Sequence, residues 1–125
     1  MTMLHADTDI NQLIREHDID PDFPHAPLGW TREDAIAAAR EESLTLTDVH
    51  WEAIRAMQGY YARHADDTTL TLRELHDALD EHFHHRGGLK YLYTVFPGGP
   101  IVQISRLGGL IAPTNAIDRN FGSVA

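Results

Sequence analysis

The chain has 125 residues, 42% of them hydrophobic and 23% charged, an ordinary globular mixture that fits one domain with a single core. Ten Lys and Arg against nineteen Asp and Glu leave a net charge of −9, which repels nucleic-acid backbones at long range. There is no cysteine, so disulfides, Fe–S clusters, thiolate zinc sites and thiol or persulfide chemistry are all excluded.

At the front, Met1–Asp9 has neither a basic stretch nor a following apolar run, so no secretory signal is expected. No stretch approaches the roughly 20 apolar residues of a membrane helix, and a cytoplasmic protein is expected. Prolines 21, 24 and 27 forbid a helix interior and predict an extended or turn-rich segment within residues 1–30, with a short edge strand or a polyproline-like arm as the forms that fit.

Thr31 followed by Glu33 and Asp34 caps a predicted helix that runs through Ala35–Arg40. A second predicted helix starts at Thr47 and reaches about residue 64. Trp51, Ile54, Met57 and Tyr61 form its buried stripe, and Gly59 is a weak spot within it. Thr71 and Glu74 form a capping box ahead of a third helix, 71–86, whose apolar face is Leu72, Leu75, Leu79 and Phe83. Gly87-Gly88 is its predicted stop. A short fourth helix follows over 89–96. Pro100 then opens a fifth, 101–107, closed by Gly108-Gly109. Residues 110–125 read as a flexible arm, partly docked. The fold class is therefore mainly α (α+β): about five short helices including a helix–turn–helix pair. The expected division is an N-terminal segment 1–30, a helical core 31–109 and an arm 110–125.

Nine histidines are present, four of them between residues 76 and 85. On a continuous helix His82 and His85 share a face, and Asp77, Glu81 and His85 make an i, i+4, i+8 stripe. Such a stripe could hold a divalent metal. No fixed metal signature accompanies it, and a solvated helix face is the plainer reading. The helix–turn–helix raises DNA binding as an alternative, but the would-be recognition helix carries Glu74, Asp77, Asp80 and Glu81 against Arg73 and Arg86. No serine lies in a nucleophile elbow, and no phosphate-binding glycine loop is present. No cofactor is expected.

The run from Leu89 to Leu110, LKYLYTVFPGGPIVQISRLGGL, resembles the DsrC/TusE family, whose C-terminal region reads KYLYxLFPxGPxxQxCRxAGLPKPTGCV. Leu46–Ile54 with Tyr60-Tyr61 resembles that family's LTxxHWxxIxxxRxYY helix, and the likeness spans about residues 30–117. The resemblance implies a helical domain with a helix–turn–helix, a small N-terminal β-meander and a mobile C-terminal arm. It also implies a role in sulfur relays, or as a partner of dissimilatory sulfite reductase, carried out by one or two arm cysteines. Here those positions hold Ser105 and Ala116, and an eight-residue extension, 118–125, follows the arm. Residues 1–29 show none of the family's Gly-rich strand turns, so the β-meander is expected to be small or reduced.

Neither a hydroxyl nor a methyl group can take up sulfane sulfur as a thiolate does. The chain thus resembles the regulatory sulfur-related members that lack these cysteines. The resemblance implies a non-enzymatic protein-binding role in bacterial sulfur metabolism. Sulfite reductase, a heterodisulfide-reductase-like complex or sulfur-relay subunits are the expected partner classes. Lys90 and Arg106, with Pro113 and Thr114 of the arm, match family positions and are the expected partner contacts; plain surface charge is the alternative for the first two. Tyr91, Tyr93 and Phe96 are expected in the core.

Overall fold

The structure is a computed structural model that describes residues 20–65 and 70–113. Five α-helices occur among these residues: α1 Arg32–Glu41, α2 Asp48–Arg63, α3 Leu72–His82, α4 Gly88–Val95 and α5 Pro100–Gly108.

Three threonines in extended conformation start the first three helices. The Thr31 hydroxyl accepts from the Asp34 N–H, and the Asp34 carboxylate accepts from the Thr31 N–H at 2.9 Å. Thr71 and Glu74 make the predicted box, at 3.0 and 3.1 Å. At Thr47 the reciprocal partner is His50, whose Nδ1 accepts from the Thr47 N–H at 3.0 Å. Each box satisfies amides that the first helical turn leaves without partners.

α2 runs unbroken through Gly59 and buries Ala53, Ile54 and Met57, with Trp51 and Tyr61 half-buried at the margins of the stripe. α3 buries Leu72, Leu75 and Leu79, and Phe83 just beyond its end is fully buried. α1 buries only Ala35 and Ala39, small residues that let its backbone lie close to α5. α5 touches all four other helices and buries Ile101, Ile104 and Leu107. It is the axis of the core, which explains why so short a helix is buried on most of its circumference.

Two expectations about the backbone are corrected. The third helix does not run to residue 86: it ends at His82, followed by a 3-10 turn, His84–Arg86. Phe83 turns into the core, and its carbonyl accepts from the Gly88 N–H at 2.8 Å, which reverses the chain there. Gly88 therefore opens α4 rather than stopping α3. Its φ of 66° and the Asp80 carboxylate against it leave no room for a Cβ. That carboxylate accepts from the Leu89 N–H at 2.7 Å, and so caps the new helix.

The second correction is the edge strand: residues 20–30 form successive turns, in line with the turn-rich reading of the prolines. Bonds run from Phe23 N–H to the Asp20 carbonyl (2.8 Å), Ala26 to Phe23 (3.2 Å) and Trp30 to Pro27 (3.1 Å). Three prolines lack the donors that a sheet ladder needs. Phe23 and Trp30 are buried with ring centroids 5.1 Å apart and join the helical core. No strand occurs among the described residues; the rest of the expected β-meander falls on residues 1–19, outside them.

Candidate functional site: the root of the C-terminal arm

α5 ends at Gly109, whose φ of 73° turns the chain out of the helix. A Cβ there would lie 2.9 Å from Trp30 Cδ1, so glycine is required on both counts. The last carbonyls of a helix lack intrahelical donors. Here three distant side chains supply donors to the carbonyls of this turn and of the arm root. Trp30 Nε1–H donates to Leu107 (2.8 Å), the Gln58 amide to Gly108 (3.0 Å) and the Tyr61 hydroxyl to Ile111 (2.7 Å). Leu110 N–H closes the turn on the Ser105 carbonyl at 2.8 Å.

Ser105, the residue that the motif resemblance matches to an inner cysteine, points into the protein and is 2% exposed. Its hydroxyl donates toward Met57 Sδ at 3.5 Å. Burial raises the Tyr61 phenol above its ordinary pKa, partly offset by the Ser105 hydroxyl beside it. The phenol therefore keeps its proton at neutral pH and serves as a donor to the arm. Ser105 is a packing residue under the arm root, closed to any incoming nucleophile or donor.

Arg106, on the outer side of α5, forms an ion pair with Glu42. Glu42 also accepts from Gln103 Nε2 at 2.7 Å, and Gln103 Oε1 accepts from the Gly98 N–H at 3.1 Å. This chain of bonds ties α1, α5 and the Pro97–Gly99 corner together. Arg106 therefore has an intramolecular role of its own, although its side chain stays half-exposed. Lys90 is exposed on α4, and Pro113 is partly buried. Thr114 and Ala116 lie outside the described residues. Tyr93, expected in the core, is 49% exposed, because α4 turns Leu92 and Phe96 inward instead. Ile111, although its carbonyl accepts from Tyr61, is 87% exposed.

The corner that carries the family-like FPGGP run has a second fastening that the sequence reading did not single out. His50 is buried, with Nε2–H donating to the Val95 carbonyl at 3.0 Å and its ring edge-on to Phe96 at 4.9 Å. Its Nδ1 already accepts from Thr47, which fixes the neutral Nε2–H tautomer. Burial holds its pKa below the ordinary 6.5, against the opposing pull of the Val95 carbonyl. The available signal was Thr47 with a hydrogen-bonding side chain three residues on, the spacing of a capping box with histidine in place of glutamate.

The metal stripe does not form. Asp77 and Glu81 lie on α3, whereas His85 lies on the 3-10 turn that follows. His82 Nε2 meets the Glu52 carboxylate at 3.2 Å, and Arg86 pairs with the same carboxylate at 2.9 Å. Among the described residues no three His, Asp or Glu side chains converge to hold a metal. α2 and α3 pack together, and α3 presents Arg73, Glu74, Asp77, Asp80 and Glu81 outward, a predominantly acidic face.

The described residues form a small helical domain with Ser105 buried in α5 and the chain fastened by side chains where it leaves that helix. The model of the DsrC-like protein family matches residues 16–117, and the chain belongs to that family as a member without cysteine. The sulfurtransferase TusE of Photorhabdus laumondii is 34% identical over 89 residues, 70% of this chain and 78% of the relative. The TusE homologue of Haemophilus influenzae is 34% identical over 109 residues, 86% of this chain and 97% of its own length. The Escherichia coli TusE is 32% identical over 89 residues, covering 70% and 80%. No solved structure gives a significant match. No helix among the described residues is long and apolar enough to cross a membrane.

Proposed function

We propose that this protein is a non-catalytic modulator of bacterial sulfur metabolism, which binds the protein partners of thiol-bearing family members without carrying sulfur. The observation that supports this most strongly is the fate of the inner arm position. Ser105 is a hydroxyl, buried and packed on Met57, in a chain with no cysteine anywhere. Sulfane transfer needs a nucleophilic thiolate that can reach its donor, and this position offers neither the nucleophile nor the access. Trp30, Gln58 and Tyr61 nonetheless fasten the chain at residues 107–111, which supports a retained docking role for the segment that follows.

The relatives are named sulfurtransferases, which supports sulfur-relay subunits as the partner class. Sulfite reductase and heterodisulfide-reductase-like complexes extend that class. Lys90, with Pro113 and Thr114, forms the proposed contact set, and Arg106 contributes to it only if a partner competes with Glu42 for the guanidinium.

The test is capture from the native lysate with the full chain and with a chain truncated after Gly109. Recovery of sulfur-relay or sulfite-reductase subunits by the full chain alone is expected. Recovery of no sulfur-related protein by either form would overturn the proposal.

A further inference from the structure

A groove of about 650 Å3 runs along the outer face of α2, opposite the arm root, between that helix and the turns at residues 22–25. Phe23 and Trp51 contribute its apolar wall, and three arginines face it: Arg32, Arg55 and Arg63. Arg32 is occupied, since it pairs with Asp20 and Asp22. The Glu52 carboxylate in the same groove is taken by His82 and Arg86. Asp48, the remaining carboxylate, lies at the N-terminal end of α2, about two turns from Arg55.

Arg55 and Arg63 are different. Among the described residues no carboxylate pairs with either guanidinium. Arg55 is held in place by donating Nε–H to the Asp22 carbonyl at 2.7 Å and by stacking over Phe23 at 5.0 Å. Arg63 stacks over Tyr60 at 5.9 Å and reaches back along the helix toward Gly59. The two arginines are positioned by their neighbours and neither is in a salt bridge among the described residues, although Arg55 feels the Asp20 carboxylate that Arg32 holds.

Gly59 lies midway between them, in the i+4 position from Arg55 and the i−4 position from Arg63. Glycine in the interior of a helix is unfavourable relative to alanine. Nothing in the local structure demands it: the backbone is helical, and a Cβ would meet Arg63 Nη1 at 3.5 Å and His25 Cδ2 at 3.6 Å, both ordinary contacts. The missing side chain leaves a floor with Arg63 on one side, the His25 ring on another and Arg55 one turn back. Arg55, Arg63 and His25 line one groove, and guanidinium and imidazole N–H groups suit an anion with several acceptor oxygens.

We propose that the Arg55–Gly59–Arg63 cradle, with His25, binds a tetrahedral oxyanion of the phosphate or sulfate class. It would be a ligand site on the face of α2 away from the arm. It stands independently of the modulator reading, because neither the arm nor the position of Ser105 enters into it.

The test is a titration of the isotopically labelled full chain in 150 mM sodium chloride with phosphate, sulfate and thiosulfate in turn. The Gly59 amide and the Arg55 and Arg63 Nε–H signals are followed by NMR, with Arg40 and Arg73 as surface controls. Saturable shifts at the cradle and none at the controls are expected with at least one anion. Selection of phosphate would indicate a phosphorylated ligand, and selection of sulfate or thiosulfate a sulfur oxyanion. Arg63→Gln should weaken binding by about tenfold, the loss of one charge-assisted hydrogen-bonding partner. Gly59→Ala should raise the melting temperature while weakening the anion, a combination that a purely structural glycine would not give. Equal shifts at all four arginines, or unchanged anion binding by the more stable Gly59→Ala chain, would overturn the proposal.

Discussion

Helices α3 and α5 are similar in length but held in opposite ways. α3 carries its own instructions: a Thr71–Glu74 box at the start and three leucines plus Phe83 on one face. α5 has no side-chain cap at its start, and at its end it depends on Trp30 and Gln58, with Tyr61 fastening the arm just beyond. These donors lie 77, 50 and 50 residues from their acceptors in the chain. A helix with a local address can be read from its own residues. One that serves as the axis of a core takes its satisfaction from elsewhere, and here that dependence falls on the arm root.

The comparison can be broken most severely at the axis. Leu107→Ala removes a fully buried side chain where α5 meets its neighbours, and a loss of about 2–5 kcal/mol in urea denaturation is expected. Trp30→Phe keeps a ring but removes the donor to Leu107, leaving a buried carbonyl unpartnered. The expected loss is about 1–3 kcal/mol by the same measurement. On the local side, Thr71→Ala should lower stability by about 1 kcal/mol, and faster hydrogen exchange should be confined to the first turn of α3. Tyr61→Phe should cost about 0.5–1.5 kcal/mol. Its exchange signature should be an accelerated arm root with the helices unaffected.

The subtlest expectation is a pH slope at the FPGGP corner. His50 is buried neutral and its folded pKa lies below the ordinary 6.5, so below that pH the unfolded chain binds a proton that the folded chain resists. Its contribution is complete above pH 6.5 and is lost as pH falls toward the depressed value. Chemical denaturation between pH 7.5 and 5 should show stability falling with acidity, with a shallower slope in His50→Gln.

Most of the helical frame was legible because its signals are local. The caps at Thr31, Thr47 and Thr71, the stripes of α2 and α3, and Pro100 all act within one or two turns. The end of α3 was not legible: Gly87-Gly88 looks like a stop, but the actual break is set by Phe83 turning inward and by Asp80 capping α4. The site was half legible. Motif likeness located Ser105, but its burial and the pairing of Arg106 with Glu42, 64 residues away, arise from packing that no local pattern encodes. Tyr93 shows the same limit, since an aromatic residue on a short helix reads as core until the neighbouring Leu92 and Phe96 take the inward positions.

The central claim is that this scaffold engages a thiol-bearing relative's partner without reacting. The most direct measurement adds the full chain to a reconstituted sulfur relay containing a sulfurtransferase relative and follows labelled sulfur. A concentration-dependent change in transfer rate is predicted, with no label on this chain and no effect from a chain cut after Gly109. An unchanged rate at every concentration would contradict it.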